Sequence, residues 1–442
     1  MKKIVSLLLV LVMVFALAAC GAKTEAPAEA PAEAPAEEAA PAGSVYWLNF
    51  KPESDAALQE IAAKYTEETG VPVKVVTAAS GTYEETLTAE MDKSEAPTLF
   101  VVGNQAAVDT WGEYCLDLAG TPIYEELNTD ITFYDADGKL CSMGYLTECY
   151  GIIVNNALLA QAGHDVSEIT NFETLKAVVE DITARKDELG FAAFTSAGMD
   201  GGSSWRFTGH VANLEYYWES VANPDAWSKC PAELTGAYMQ NYRNLMDLMF
   251  ANATVERTEL AAGGFDAAAE FANGEAAFYV NGMWEWAGLA EKGMKAEDLK
   301  MIPYYCGVEG EEKVGLNNGT ENCWAVNAEA SEEDIQATLD FMYWLVTDAE
   351  AAEMAVATFG AMPYKQAPAS TNPFLKNSAE YAANGCDNMW WATNYQPNVN
   401  EYRSALVSAI NDYNQNPSDD TWAAVETAFV QGWATQYQAA NG

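Results

Sequence analysis

The side chains in this sequence best suited to holding a ligand are tryptophans delivered by short glycine-bounded segments, and the chemistry they offer is stacking rather than bond cleavage. In Phe271 to Trp286, FANGEAAFYVNGMWEW, the pattern predicts a helix end, a turn at Asn273-Gly274, a strand from Ala276 to Val280 and a second turn at Asn281-Gly282. Trp284 and Trp286 would then sit at the carboxyl edge of a strand, where open α/β sheets take their ligands. A rigid ring at that edge is a stacking platform for a ligand or a plug for the sheet. Trp205, in the Gly- and Ser-rich run from Gly198 to Arg206, is expected on an exposed loop and is a second stacking candidate. Trp390 and Trp391 are adjacent and point in different directions, so at most one of them faces a given ligand as a third. Tyr216, Tyr217, Trp218 and Trp227 lie in an amphipathic helical setting and are assigned to the core.

Polar groups follow each of the first three predicted strands. They are Asn49, Lys51 and Glu53, then Ser80, Gly81, Thr82 and Tyr83, then Asn104 and Gln105. Amides and carboxylates of this kind pair with neighbouring hydroxyls of a neutral polyol, although singly each is also a common helix cap or turn former. No Gly-x-Ser-x-Gly, His-Glu-x-x-His or phosphate-binding loop occurs. With only His164 and His210 present, a histidine-rich metal site is not expected, and neither is any other cofactor. Asp135-Ala136-Asp137-Gly138 opens like a calcium loop but lacks the later Glu, and reads as a hairpin turn.

Positioning these groups requires alternating strands and helices. Val45 to Phe50 reads as a strand, and the next helix carries Leu58, Ile61, Ala62 and Tyr65 on one face, with Gly70 at its C-terminal cap. Val71 to Val76 is a strand, Tyr83 to Lys93 a helix and Leu99 to Val102 a strand. This βαβαβ order is the doubly wound α/β pattern. A long helical stretch is expected from Phe172 to Leu189, a strand from Phe191 to Phe194 and an amphipathic helix from Asp334 to Thr347.

The N-terminus is read differently. Lys2 and Lys3 precede the 16-residue apolar run Ile4 to Ala19, short of the ~20 residues that span a bilayer. It reads as a secretion signal over residues 1–20, and Leu17-Ala18-Ala19-Cys20 resembles a bacterial lipobox, which makes Cys20 the expected lipidated N-terminus. Residues 21–43 repeat Ala-Pro-Ala-Glu units and form a disordered, extended spacer. The 22 Lys and Arg against 65 Asp and Glu give a net charge of −43. Such a field disfavours nucleic acid and anionic solutes and suits neutral or cationic ones. Apart from Cys20 there are seven cysteines, so at least one thiol is free, and Cys141 with Cys149 is the pair to check for a disulfide.

Several segments together resemble bacterial extracellular solute-binding proteins of family 1, which includes the maltose- and maltodextrin-binding proteins. They are the Phe271–Trp286 stretch, Trp47-Leu48-Asn49 followed by YTEETGVPVKV, the crossing segment Thr147 to Asn155, the return segment Asn317 to Val326 and the Gly360-x-x-Pro363 turn. The resemblance implies two lobes of type II periplasmic-binding-protein-like fold, doubly wound sheets joined by hinge strands. Residues 44–148 and 318–368 would form lobe 1, and 149–317 and 369–442 lobe 2. It implies that Trp284 stacks on a sugar ring, that Glu148 contacts ligand and that Gln105 stands where relatives carry an Asp. Trp324 and Trp344 look like packing residues, while Tyr402 and Arg403 lie near where the family places another aromatic. The function implied is that of a lipid-anchored substrate-binding protein of an ABC importer on the outer face of the cytoplasmic membrane. As a monomer it would capture a carbohydrate, an oligosaccharide rather than a monosaccharide, and present it to the permease subunits. The competing readings are a binding protein for a cationic solute such as a polyamine, and a secreted glycosidase with paired carboxylates.

Overall fold

The first apolar run forms a fully buried strand, β1 (Val45–Asn49). In the computed structural model, which describes residues 43–199 and 202–441, it lies parallel to β2 (Val73–Thr77) on one side and β3 (Leu99–Val101) on the other. The helix between β1 and β2, Asp55–Thr69, buries Leu58, Ile61, Ala62 and Tyr65 and ends at Gly70, whose φ of 77° suits a residue without a Cβ. β4 (Thr132–Tyr134) and β5 (Leu140–Gly144) form a hairpin over the Asp135–Gly138 turn. With β11 (Cys323–Val326) the first sheet has the order β2-β1-β3-β11-β5-β4. Its core is aromatic. Trp47 lies 5.9 Å from Trp324, which stacks on Tyr145 at 4.7 Å, and Trp344 packs on Tyr65 at 4.9 Å.

The second sheet is built around β6 (Glu148–Asn155), buried along its whole length. Antiparallel to it run β8 (Ala276–Gly282), β9 (Leu299–Ile302) and β10 (Val314–Gly319). β7 (Ala192–Phe194) lies beside β8, and β12 (Asp387–Trp390) lies beside β10. Covered on both faces, β6 can be a near-continuous apolar run, and ECYGIIVN is one. Helices carrying Tyr216, Tyr402, Phe429 and Trp433 fill the core beside it. The chain therefore changes sheet at Glu148, again between β10 and β11, at 320–322, and a third time between β11 and β12.

Three expectations are corrected. No turn forms at Asn281-Gly282: β8 runs through both residues, Gly282 is extended, and a short 3-10 turn begins only at Met283. The long helix breaks at Arg185, after Phe172–Ala184 and before Lys186–Leu189. Cys141 and Cys149 do not pair. They belong to different sheets, and the seven cysteines of the described residues are free thiols, with Cys141 beside Cys115 instead. The leader, Cys20 and the spacer up to residue 42 lie outside the described residues. Among the described residues no helix is long and apolar enough to cross a membrane.

Candidate functional site

Gly282 accounts for the placement of Trp284. A Cβ on Gly282 would stand 2.2 Å from the Trp284 ring, so the indole folds back over the end of β8 only because that residue is glycine. Around this ring gathers a group of aromatics from distant segments. The Trp284 centroid is 5.5 Å from His210, 6.1 Å from Trp205 and 6.4 Å from Tyr150. His210 stacks on Tyr150 at 4.0 Å and is met edge-on by Trp205 at 4.8 Å. Trp391 closes the group, 5.1 Å from Tyr150 and 5.7 Å from His210. Its ring crosses Gly319, where a Cβ would come within 2.5 Å of it. Trp390 turns away toward Trp227 and Tyr395 and donates its Nε1 to Ser220 Oγ at 3.1 Å. Of the adjacent pair, then, Trp391 joins Trp284.

The first sheet faces this group with Lys51, which follows β1 and holds its Nζ 5.5 Å from the Trp284 ring centre. Its ammonium bonds Glu148 Oε1 at 2.8 Å and Glu53 at 2.9 Å, while Asn322 Nδ2 donates to the other Glu148 oxygen at 2.7 Å. Lys51 and Glu148 are buried and Glu53 is exposed. Burial opposes the Lys51 charge, but the two carboxylates outweigh it and hold its pKa above the usual lysine value. Burial pushes the Glu148 carboxyl up, against the pull of Lys51.

Arg206 and Arg403 complete the charged ring. The Arg206 guanidinium lies 4.3 Å over Trp205, and Arg403 Nε donates to Gln396 at 2.7 Å. Burial, together with the positive charges of Arg403, Arg206 and Lys51, drives the His210 pKa well below 6.5. His210 is therefore neutral in the folded protein and protonated in the unfolded chain below that pH. A depressed histidine makes stability rise with pH, so the folded state loses up to about 1.4 kcal/mol for each pH unit below the unfolded pKa. Urea midpoints of His210→Gln measured at pH 7 and pH 5.5 are expected to fall less on acidification than those of the parent. Equal falls in the two proteins would show that His210 is not held neutral.

The remaining anticipated residues do other work. The Asn49 side chain is buried and bonds Lys51 on both sides of its amide and Thr77 besides. Asn104 caps a helix through Ala107 N. The Tyr83 hydroxyl is enclosed between Val101 N and the Leu48 carbonyl. Gln105 is exposed, with its amide on Asp109 and the Tyr134 carbonyl. None of these four joins the aromatic group, whereas Trp284, Trp205, Trp391 and, through Lys51, Glu148 do. His210, Tyr150 and Arg403 were missed as a unit. The signal available was a lone histidine in the mixed stretch RFTGHVANLE, a pattern that elsewhere marks packing.

Two α/β lobes with the chain passing three times between them, and aromatic and charged side chains gathered where they meet, define a ligand-capturing protein. The family model for bacterial extracellular solute-binding proteins matches residues 60–384. The chain belongs to that family. Solved structures agree on the fold. RafE, the Streptococcus pneumoniae protein solved both alone and in complex with raffinose, superposes in its raffinose complex with a TM-score of 0.66 at 17% identity, over 87% of this chain and 98% of its own. A sugar transporter protein from Bacillus licheniformis in complex with stachyose gives 0.64 at 16%, over 89% and 100%. The bacterial solute receptor AcbH, described as exclusive for β-D-galactopyranose, gives 0.63 at 15%, over 90% and 100%. A search of curated proteins by sequence gave no match.

Proposed function

We propose that the protein is the substrate-binding component of an ABC importer and captures a carbohydrate, an oligosaccharide, between its lobes. The observation that carries this reading is the pair Trp284 and Trp205, both partly exposed and 6.1 Å apart, with Lys51 over Trp284 and the buried Trp391 behind them. Flat apolar rings flanked by fixed donors and carboxylates suit the alternating apolar faces and hydroxyl edges of sugar rings. Two partly exposed rings from separate segments, Trp284 and Trp205, backed by the buried Trp391, favour more than one sugar unit. The fold neighbours solved with raffinose and stachyose support the same class, and AcbH marks the monosaccharide alternative. Ligand would draw the lobes together, and membrane permease subunits would read that closure. Cys20 would carry the lipid anchor that keeps the protein on the outer face of the cytoplasmic membrane, where it works as a monomer.

The polyamine reading is weakened by the site itself, because Lys51, Arg206 and Arg403 already act on His210 at its centre. A glycosidase is disfavoured as well. Both oxygens of Glu148 are engaged, so Glu148 is not free to serve as one of the paired carboxylates that glycosidic cleavage needs. Isothermal titration of the purified protein against galacto-, gluco-, xylo- and manno-oligosaccharides, then spermidine, tests the assignment. Heat from one glycan series, with affinity rising with chain length, is expected. Binding of spermidine alone would replace a sugar platform with a cation box.

A further inference from the structure

This chain contains five arginines among 65 acidic residues, so an arginine without an acidic partner is conspicuous. Arg185 pairs with Asp181, Arg243 with Asp247 and Asp419, and Arg257 with Asp247. Only Arg206 and Arg403 have no carboxylate at ion-pair distance among the described residues, and both flank His210 in the aromatic group. Arg403 lies across Gly209, where a Cβ would come within 2.8 Å of its Nη2, so the backbone beside His210 is shaped to admit the guanidinium. Arg403 Nε is fixed by Gln396. Arg206 is held flat on Trp205, and its Nε is buried with no hydrogen-bond partner, as are the Tyr304 hydroxyl and the Trp391 Nε1. Tyr304 packs against Tyr150 at 5.7 Å.

Two planar forks that are held in place, have no carboxylate at ion-pair distance and feel Glu285 and Glu321 only from further off, beside a stacking surface, are built to take a planar anion. We infer that the carbohydrate captured here is acidic: a sugar carboxylate, as in a uronic acid residue, is received by Arg206 and Arg403 while the ring that bears it, or its neighbour, stacks on Trp284. This assignment rests on the carbohydrate reading above. The third cation does not compete for the same group, since Lys51 is already bonded to Glu148 and Glu53. The neutral state of His210, held by burial and by these cations, fits a locally positive site within an acidic protein. The overall charge of −43 does not forbid such a ligand, because charges beyond a Debye length of about 8 Å at physiological salt are largely screened. The guanidinium forks would act in direct contact. They correct, at this one place, the expectation drawn from net charge.

The test is titration calorimetry of the purified protein with matched pairs: digalacturonate against galactobiose, and a glucuronic-acid-substituted xylotetraose against xylotetraose. The acidic member of at least one pair is expected to bind about 10- to 100-fold more tightly than its neutral match, in line with a charge-assisted bidentate contact, and to weaken as NaCl is raised. Arg403→Gln and Arg206→Gln are each expected to shrink the acidic-over-neutral affinity ratio to within about threefold, whatever they do to the affinity of the pair as a whole; a ratio still above about tenfold in both variants overturns the inference. Circular dichroism and the unfolding midpoint show whether each variant is folded. Neutral members binding as tightly as acidic ones would overturn the inference and leave the carbohydrate reading standing. Silence from every acidic probe also overturns it, and the neutral series and spermidine then decide whether the carbohydrate reading falls too.

Discussion

Replacing Trp284 by alanine is expected to weaken the captured glycan by about 30- to 150-fold, or about 2–3 kcal/mol, with the fold intact. The magnitude follows from the ring's position. It is partly exposed, central to the aromatic group and fixed by close approach to Gly282. A preorganised aromatic anchor at the middle of a binding surface is where truncation costs most. Stability should fall less than for a core tryptophan, since Trp284 is only partly buried at the margin of cores filled by other rings. Trp284→Phe should recover much of the affinity, because a smaller ring still stacks. A second route to the same loss leaves the tryptophan in place. Gly282→Ala puts a methyl where the indole lies and should displace the ring, costing affinity comparably. Calorimetry with the best glycan from the titration series reads both variants. If Trp284→Ala binds as the parent does, the ring is a plug for β8 and the site lies elsewhere.

How much of this site was legible beforehand depended on how local each signal was. The edge of β8 could be read because Asn273-Gly274, the alternating strand and Gly282-Met283-Trp284 lie within fourteen residues. The reading went wrong only at Asn281-Gly282, where the glycine serves close approach to an indole and not a turn. β1, the helix capped by Gly70 and β2 were equally local, and their bounds differ by a residue or two. The meeting of Tyr150, His210, Trp391 and Arg403 was not legible. Each sits in a segment whose own pattern is that of ordinary packing; the sheet order β12-β10-β6 brings Tyr150 and Trp391 together, and the helices Arg206–Val211 and Val399–Gln415 bring His210 and Arg403 onto them. The polar residues after β1 and β3 show the opposite error. Asn49 and Asn104 have the types a sugar site uses, yet local backbone groups claim them first, as short amide side chains do at turns and caps.

Glu148 is the residue on which structural and ligand roles compete most directly, and removing it should have the largest effect on stability. Glu148→Ala leaves the Lys51 ammonium buried with only exposed Glu53 beside it and strands the Asn322 amide. Losing one partner of a buried ion pair costs about 3–5 kcal/mol, and the damage falls where β6 leaves the first sheet for the second. The urea midpoint of the single variant is therefore expected to drop sharply. In Lys51→Met/Glu148→Leu neither charge is left uncompensated, and apolar replacement of a buried pair is often neutral, so most of the stability should return. Glycan affinity in that double variant then separates the two roles. Affinity restored along with stability means that the pair only braces the crossing between lobes. Stability restored with affinity still lost means that Lys51 or Glu148 touches the sugar, across from Trp284 and 5.5 Å from its centre on the lysine side.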